Sequence, residues 1–144
     1  MKVVVQRVME ASCKVDGKIT GKIDYGYMLL VGFNTTDTES NVLNMAKKIL
    51  NLRIMDDENN VMNKSILDIK GCILSISQFT LYADTKKGNR PSYVNAMKGE
   101  DAIKLYQLFN EELRKYVPVS EGIFGADMKI SLINDGPVTI ILEM

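Results

Sequence analysis

The spacing of apolar and polar residues along the chain predicts several strands. Residues 2–9 are mostly β-branched and predict a strand at the start of the chain. Residues 12–23 alternate loosely around Asp16-Gly17, a dipeptide that favours a hairpin turn. Two short continuous apolar runs, at residues 27–33 and 71–76, are typical of strands that are buried on both faces.

Two other segments repeat their apolar residues at the period of a helix. Thr36 and Glu39 have the spacing of a capping box, so a helix of about three turns is predicted to follow Thr36. Its apolar positions are Val42, Met45, Ala46, Ile49 and Leu50. A second helix is predicted from about Glu100 to Tyr116, where Pro118 ends it. Its apolar face consists of Ala102, Leu105, Tyr106, Phe109, Leu113 and Tyr116.

The remaining segments complete an α+β pattern. Residues 52–55 predict a short strand, and residues 128–132 predict a strand by strict alternation. Asn134-Asp135-Gly136-Pro137 predicts a turn, after which residues 138–142 return as the second strand of a hairpin-like pair. We therefore expect one domain over residues 1–144, with a mainly antiparallel sheet and two main helices.

Charge and hydropathy limit how this chain can bind nucleic acids and membranes. The 18 Lys and Arg residues are balanced by 18 Asp and Glu residues, so the formal net charge is zero. Such a chain attracts nucleic acid only through a local basic patch. No apolar run approaches the ~20 residues that a membrane helix needs, and the N-terminus has no signal-peptide pattern. We expect a cytoplasmic location and no membrane partner.

The chain contains no histidine, and this limits its chemistry. Triads that pair Ser or Cys with His are excluded, as are zinc sites that use His. Cys13 and Cys72 are far apart and are expected to be reduced, buried thiols. The acidic run 56–58, followed by two asparagines, predicts a solvated turn. We expect no metal and no cofactor, so any catalysis proceeds without imidazole.

The segment Ser77-Gln78-Phe79-Thr80-Leu81 follows a predicted buried strand and carries two hydroxyl side chains. Ser77 and Thr80 would point to opposite faces of a regular strand. Both can face one site only if the backbone bends, and a bend exposes N–H groups that can hold an oxyanion. A regular strand with ordinary hydroxyl side chains is the alternative.

A basic loop follows shortly afterwards. Lys86, Lys87 and Arg90 surround Gly88, which allows unusual backbone dihedrals or close approach. These cations can neutralise phosphates of a nucleic acid. A solvated surface turn is the alternative for this segment.

Taken in order along the chain, these motifs resemble the D-aminoacyl-tRNA deacylase family, whose bacterial and eukaryotic type is often called D-Tyr-tRNA deacylase. The resemblance covers the whole chain. Tyr93 stands where the family often has Phe, a change that keeps the ring. The matching segments are Gln6-Arg7-Val8, Ala11-Ser12, Ser77–Leu81, Ala83-Asp84, Gly88–Ser92 and Asn134–Thr139.

The resemblance implies a homodimer of compact, barrel-like subunits that hydrolyses the ester between a D-amino acid and the terminal adenosine of tRNA, a proofreading step in translation quality control. It implies a cis Gly136–Pro137 bond, inserted from one subunit into the pocket of the other. The partner would be the 3′ end and acceptor stem of aminoacyl-tRNA, with no DNA. The pocket would be lined by Ser77, Gln78, Phe79 and Thr80, with Arg7 bracing the Gly-Pro segment and Phe124 and Met128 as pocket wall.

D- and L-aminoacyl esters carry the same chemical groups. An enzyme can therefore distinguish them only if its site clashes sterically with one of the two enantiomers. Main-chain carbonyls at Gly136 and Pro137 would accept the substrate's ammonium and fill the space that an L side chain needs. Glycine has no side chain to clash, so glycyl-tRNA is also expected to be cleaved. The rival interpretations are a non-catalytic RNA-binding module, a general small-ester hydrolase and a structural interaction protein.

Overall fold

The computed structural model describes residues 1–144 as a mixed sheet, curved into a nearly closed barrel, with two helices. The helices are α1 (Glu39–Leu50) and α2 (Gly99–Arg114), and a short 3-10 helix spans Phe79–Tyr82. Neither α1 nor α2 is long and apolar enough to cross a membrane. The strands are β1 (Lys2–Val15), β2 (Lys18–Ile23), β3 (Gly26–Gly32), β4 (Met55–Asp56), β5 (Met62–Lys64), β6 (Cys72–Ser77), β7 (Val119–Glu121) and β8 (Lys129–Glu143).

The long first strand organises the sheet. One edge of β1 pairs antiparallel with β8, and the other edge pairs antiparallel with β3 and then with β2. β6 runs parallel to β3, and β7 runs parallel to β6. The Ser120 hydroxyl of β7 donates to the Lys22 carbonyl of β2 at 3.0 Å, which brings the two ends of the sheet together. The predicted α+β class is confirmed, and its parallel pairs are an addition that the apolar pattern did not indicate.

The two faces of β3 contact different apolar clusters, as expected for a continuous apolar strand. Tyr27 and Leu29 face the larger cluster, which contains the buried faces of α1 and α2. Met28 points to the opposite face, into a smaller cluster with Leu74 and Ile76 of β6. Both helices therefore cover one side of the sheet and leave the carboxyl ends of β3 and β6 accessible.

Local sequence signals misplaced several element ends. The predicted Thr36–Glu39 capping box is wrong, because α1 is capped by Thr38, whose backbone N–H donates to Asn41 Oδ1 at 2.9 Å. Asp37 accepts instead from the Asn34 N–H at 2.6 Å, which forms a turn before the helix. Other corrections are a strand of two residues where 52–55 was predicted, and Tyr116 exposed beyond the end of α2.

The largest correction concerns Asn134–Pro137, which does not reverse the chain. Gln6 pairs with Thr139 and Val8 pairs with Asn134, so residues 135–138 lie opposite Arg7 alone. The segment is thus a large bulge within one continuous strand, β8, because residues on both sides of it pair with β1. The predicted turn and the hairpin-like pair after it are wrong.

Candidate active site

A cleft of about 240 Å³ opens where β3 and β6 end. These strands are parallel neighbours, with Val31 opposite Ser77, so their carboxyl ends meet at the same edge of the sheet. The start of α2 and the segment between β7 and β8 form the remaining walls. The lining residues are Val31, Gly32, Phe33, Ile76, Ser77, Gln78, Phe79, Met97, Ala102, Phe124, Gly125, Ala126, Asp127, Met128 and Ile130.

The backbone bends after Ser77, so the alternative of a regular strand through this segment is wrong. The Gln78 N–H donates to the Val31 carbonyl at 2.7 Å, after which the chain enters the 3-10 helix. The N–H groups of Phe79 and Thr80 begin that helix and have no acceptor within it. Ser77, Gln78 and Phe79 line the cleft, whereas Thr80 lies beside it, half-buried, and its Oγ1 accepts from the Gln78 amide.

The wall carrying Phe124 and Met128 is tied to β6 by a tyrosine that the sequence analysis placed only in the core. The Tyr106 hydroxyl donates to the Ser75 carbonyl at 2.8 Å, and its ring centroid lies 5.7 Å from that of Phe124. The Ser75 carbonyl also accepts from the Gly122 N–H at 3.2 Å. A buried tyrosine hydroxyl requires a partner, and this was the available signal for such a role.

Gly136 and Pro137 lie on the bulge of β8, are exposed, and do not line the cleft of their own chain. The peptide bond between them is cis, as the resemblance implies. Gly136 has a φ of +117°, and a Cβ there would lie 2.8 Å from Val138 Cγ2. This position therefore requires glycine.

Arg7 holds the base of the bulge from the opposite strand. Its side chain is buried, and its Nε lies 3.0 Å from Asp135 Oδ2. Its Nη1 donates to Asp56 Oδ1 at 3.0 Å and to the Ile54 carbonyl at 2.9 Å. The Tyr25 hydroxyl adds a 3.4 Å hydrogen bond to Asp135, and burial raises the pKa of Tyr25. The exposed Gly-Pro segment is thus anchored to a partly buried ion-pair network around the buried Arg7.

The basic loop is closed at its base by two hydrogen bonds between Asp84 and Ser92, of 2.7 and 2.9 Å. The side chains of Lys86, Lys87 and Arg90 are exposed and form no ion pair. Just beyond this loop, the Tyr93 ring packs edge-on against Phe79 of the cleft, with centroids 5.1 Å apart. The loop is therefore next to the cleft.

The acidic run is divided between two structural roles. Asp56 pairs with Arg7, which the sequence analysis did not foresee. Asp57 closes the predicted turn, because its carboxylate accepts from the N–H groups of Asn59 and Val61, and these bonds hold its pKa below the ordinary value. Cys13 is a buried free thiol, as expected, and Cys72 is a partly buried one.

Comparisons with known proteins show what this chain is similar to. The model of the family described as D-Tyr-tRNA(Tyr) deacylase matches residues 4–143. A solved structure described as "c-Myc DNA Unwinding Element Binding Protein" is 44% identical, with a TM-score of 0.95 over 100% of this chain and 99% of its own. A second, described as a "probable eukaryotic D-amino acid tRNA deacylase", is 16% identical, with a TM-score of 0.86 over 99% of this chain and 98% of its own, and shares the fold.

Proposed function

The chain belongs to the D-Tyr-tRNA(Tyr) deacylase family and is a hydrolase acting on ester bonds; from this premise we propose a chirality-based editing enzyme. It removes D-amino acids from the 3′-terminal adenosine of tRNA in the cytoplasm and rejects L-aminoacyl-tRNA. The observation that carries the proposal is a separation within one chain. The cleft lies at the ends of β3 and β6, and the anchored Gly136–Pro137 segment lies outside it.

We propose that a homodimer brings these two parts together. Gly136 and Pro137 are exposed, so they are available to enter the cleft of a second copy. β8 pairs with β1 along one edge and with no strand along the other. The exposed side chains of Ile133 and Ile141 on β8 provide apolar surface for a partner. In the dimer the Gly136–Pro137 segment of each copy forms one wall of the other copy's cleft.

Main-chain atoms would then distinguish D- from L-aminoacyl-tRNA. Carbonyl oxygens at Gly136 and Pro137 accept the ammonium of the substrate and occupy the space that an L side chain requires. Contacts at the chiral centre leave the side chain of the substrate outside, so many D-amino acids fit. Glycyl-tRNA fits as well, because hydrogen replaces the side chain.

Catalysis would use backbone amides and water. The N–H groups of Phe79 and Thr80 hold the oxyanion of the tetrahedral intermediate, and the ribose 2′-hydroxyl of the substrate assists the attack by water. A covalent route through Thr80 needs a base, and its Oγ1 instead accepts from the Gln78 amide, which cannot remove a proton.

Two substitutions separate these routes. Thr80→Ala and Ser77→Ala should each retain most of the activity if water attacks, since neither hydroxyl then forms a bond to the substrate. A loss of several orders of magnitude in Thr80→Ala, with tRNA binding intact, would support the covalent route. Replacing the terminal adenosine with 2′-deoxyadenosine should slow the reaction strongly only if that hydroxyl takes part.

The function is tested by deacylation of D-tyrosyl-, L-tyrosyl- and glycyl-tRNA with the purified protein. We expect release of D-tyrosine and glycine and none of L-tyrosine. Glycyl-tRNA that resists high enzyme concentrations would contradict the steric scheme. Binding without release would support an RNA-binding module, and equal cleavage of D-tyrosine methyl ester would support a general esterase.

A DNA partner is the second candidate, because the 44% identical structure is described as DNA-binding. The free cations at 86, 87 and 90 can contact phosphates of either nucleic acid. Duplex DNA is therefore added as a competitor to the deacylation of D-tyrosyl-tRNA at physiological salt. No inhibition is expected, and inhibition at DNA concentrations comparable with those of tRNA would favour a DNA-binding role for the same loop.

A further inference from the structure

A second, polar groove of about 420 Å³ adjoins the cleft. The same three chain segments line both. Asn34 of the groove follows Phe33 of the cleft, Leu81 follows the cleft segment that ends at Phe79, and Asn95 lies two residues before Met97. Consecutive Cα atoms are about 3.8 Å apart, so groove and cleft are separated by only one or two residues along each segment.

The lining of the groove is more polar than the lining of the cleft. Ten of the 15 cleft residues are hydrophobic, whereas three of the ten groove residues are. Lys86 lines the groove and its ammonium has no carboxylate partner, while the exposed side-chain amide of Asn95 has no hydrogen-bond partner within the chain. Lys2, which also lines the groove, is already engaged by Glu143 at 3.6 Å and by the Tyr82 ring at 5.2 Å. Asp84 also lines the groove, and its carboxylate accepts from the main-chain N–H of Lys86 at 2.9 Å. Beside this carboxylate, the groove offers the Lys86 ammonium, which forms no ion pair, and the free amide of Asn95.

We propose that this groove binds the nucleotide that precedes the terminal adenosine of tRNA, an inference that rests on the proposed function. An aminoacylated adenosine in the cleft continues into a phosphodiester chain, which must leave the cleft over a neighbouring surface. Lys86 contacts the phosphate of that nucleotide, and the Asn95 amide, a donor and an acceptor, binds the edge of its base. The apolar cleft holds the aminoacyl end, and the polar groove holds the strand that carries it.

The inference is tested with two substrates that share the ester. D-tyrosyl-tRNA reaches both cleft and groove, whereas D-tyrosyl-adenosine reaches only the cleft. Lys86→Ala and Asn95→Ala should each lower kcat/KM for D-tyrosyl-tRNA about tenfold, the equivalent of roughly 1.4 kcal/mol. Neither should change kcat/KM for D-tyrosyl-adenosine. Neither side chain has a partner in the chain, so both variants should fold.

Salt dependence distinguishes the two roles. Loss of one phosphate contact should reduce the slope of log Kd for tRNA against log salt by about 0.7 in Lys86→Ala. Asn95→Ala should weaken binding with the slope unchanged, because it removes no charge. Equal losses with both substrates, or unchanged slopes in both variants, would overturn the inference.

A second surface groove provides the matched control. It lies along α1, has a volume of about 530 Å³ and is lined by Asn44, Lys47, Lys48, Asn51 and Met144, none of which belongs to a segment of the cleft. Lys47→Ala and Asn44→Ala should leave both substrates unaffected. Equal losses in these controls would show a general effect of surface charge and overturn the assignment. If the wild type cleaves neither substrate, the proposed function fails, and the binding slopes still decide whether the groove holds tRNA.

Discussion

The guanidinium of Arg7 contacts Asp135 twice, with Nε lying 3.0 Å from the carboxylate Oδ2 and 3.4 Å from the main-chain carbonyl oxygen. Arg7 is buried and belongs to β1, and Asp135 begins the bulge in β8. The residue that follows Asp135 is the exposed Gly136. A solvent-facing segment is thereby attached directly to the interior of the barrel, which suits the role proposed for the Gly-Pro segment.

Arg7→Lys should weaken chiral selectivity. A lysine ammonium cannot contact Asp135, Asp56 and the Ile54 carbonyl together in the geometry of the guanidinium. The ratio of kcat/KM for D- over L-tyrosyl-tRNA should fall about tenfold, the effect of losing about 1.4 kcal/mol of discrimination. Arg53→Lys is the control, because this exposed arginine contacts the Asn63 carbonyl instead. An unchanged ratio in Arg7→Lys would show that the brace does not control selectivity.

Gly136→Ala should reduce both stability and activity toward D-tyrosyl-tRNA. At a φ of +117°, with Val138 Cγ2 2.8 Å from the new Cβ, the substitution should lower the free energy of unfolding by about 1–3 kcal/mol. Gly17→Ala is the control, since Gly17 has a φ of +77° with no atom near its Cβ position. It should cost about 1 kcal/mol and leave activity intact. Urea denaturation and deacylation assays measure both effects, and an active Gly136→Ala enzyme would contradict the account.

Tyr106→Phe should lower kcat/KM beyond what its loss of stability explains. The substitution keeps the ring against Phe124 and removes the 2.8 Å hydrogen bond to Ser75, two residues before Ser77. Loss of this bond should cost about 1–2 kcal/mol of stability and loosen the two cleft walls relative to each other. Phe109→Leu, on the same helix but facing the core, should destabilise the protein without changing kcat/KM. Equal kinetics in the two variants would reduce Tyr106 to a purely structural role.

Alkaline pH should destabilise the fold through its tyrosines. Burial raises the pKa of Tyr25, Tyr27, Tyr82 and Tyr106 above the ordinary value of 10.0. The unfolded chain therefore loses these protons first, so their contribution to stability is complete below about pH 10 and falls as the pH rises further. Unfolding curves between pH 8 and about 11.5 should show this decline. Tyr106→Phe should show a shallower decline, and a stability that stays constant throughout would contradict the shifts.

The period of the apolar residues predicted the helices and strands of this fold better than it predicted which strands pair with each other. Both helices and the buried strands β3 and β6 follow from local apolar spacing, which reflects the face that each element buries. The parallel pairing of β3 with β6 depends on contacts between distant segments, and no local pattern encodes it. The cap at Thr38 was missed because Asp37 closes a preceding turn, which a pattern of spacing alone does not reveal.

The candidate site could likewise be predicted only in part, because local patterns do not encode contacts between distant segments. Ser77 and Thr80 left both a bend and a regular strand open, because hydroxyl residues three positions apart face one site only if the backbone bends. The structure has the bend, with Ser77 in the cleft and Thr80 beside it. Asn134–Pro137 correctly signalled a departure from regular structure, but its residue types are the same for a turn and for a bulge. The choice is made by pairing with β1 on both sides, together with Arg7, whose role came only from the family resemblance.

The central claim is that each copy distinguishes D- from L-aminoacyl-tRNA with the Gly136–Pro137 segment of its partner. A mixed dimer tests this claim most directly. One copy carries Ala126→Trp, which fills the cleft, and the other lacks residues 136–138, a deletion that leaves Asp135 opposite Arg7 in regular register with β1. Neither homodimer should hydrolyse D-tyrosyl-tRNA selectively. Co-expression should restore about a quarter of the wild-type D-selective activity, since half of the dimers are mixed and each has one complete site. Mixed dimers, isolated with two affinity tags, that show no such activity would contradict the claim.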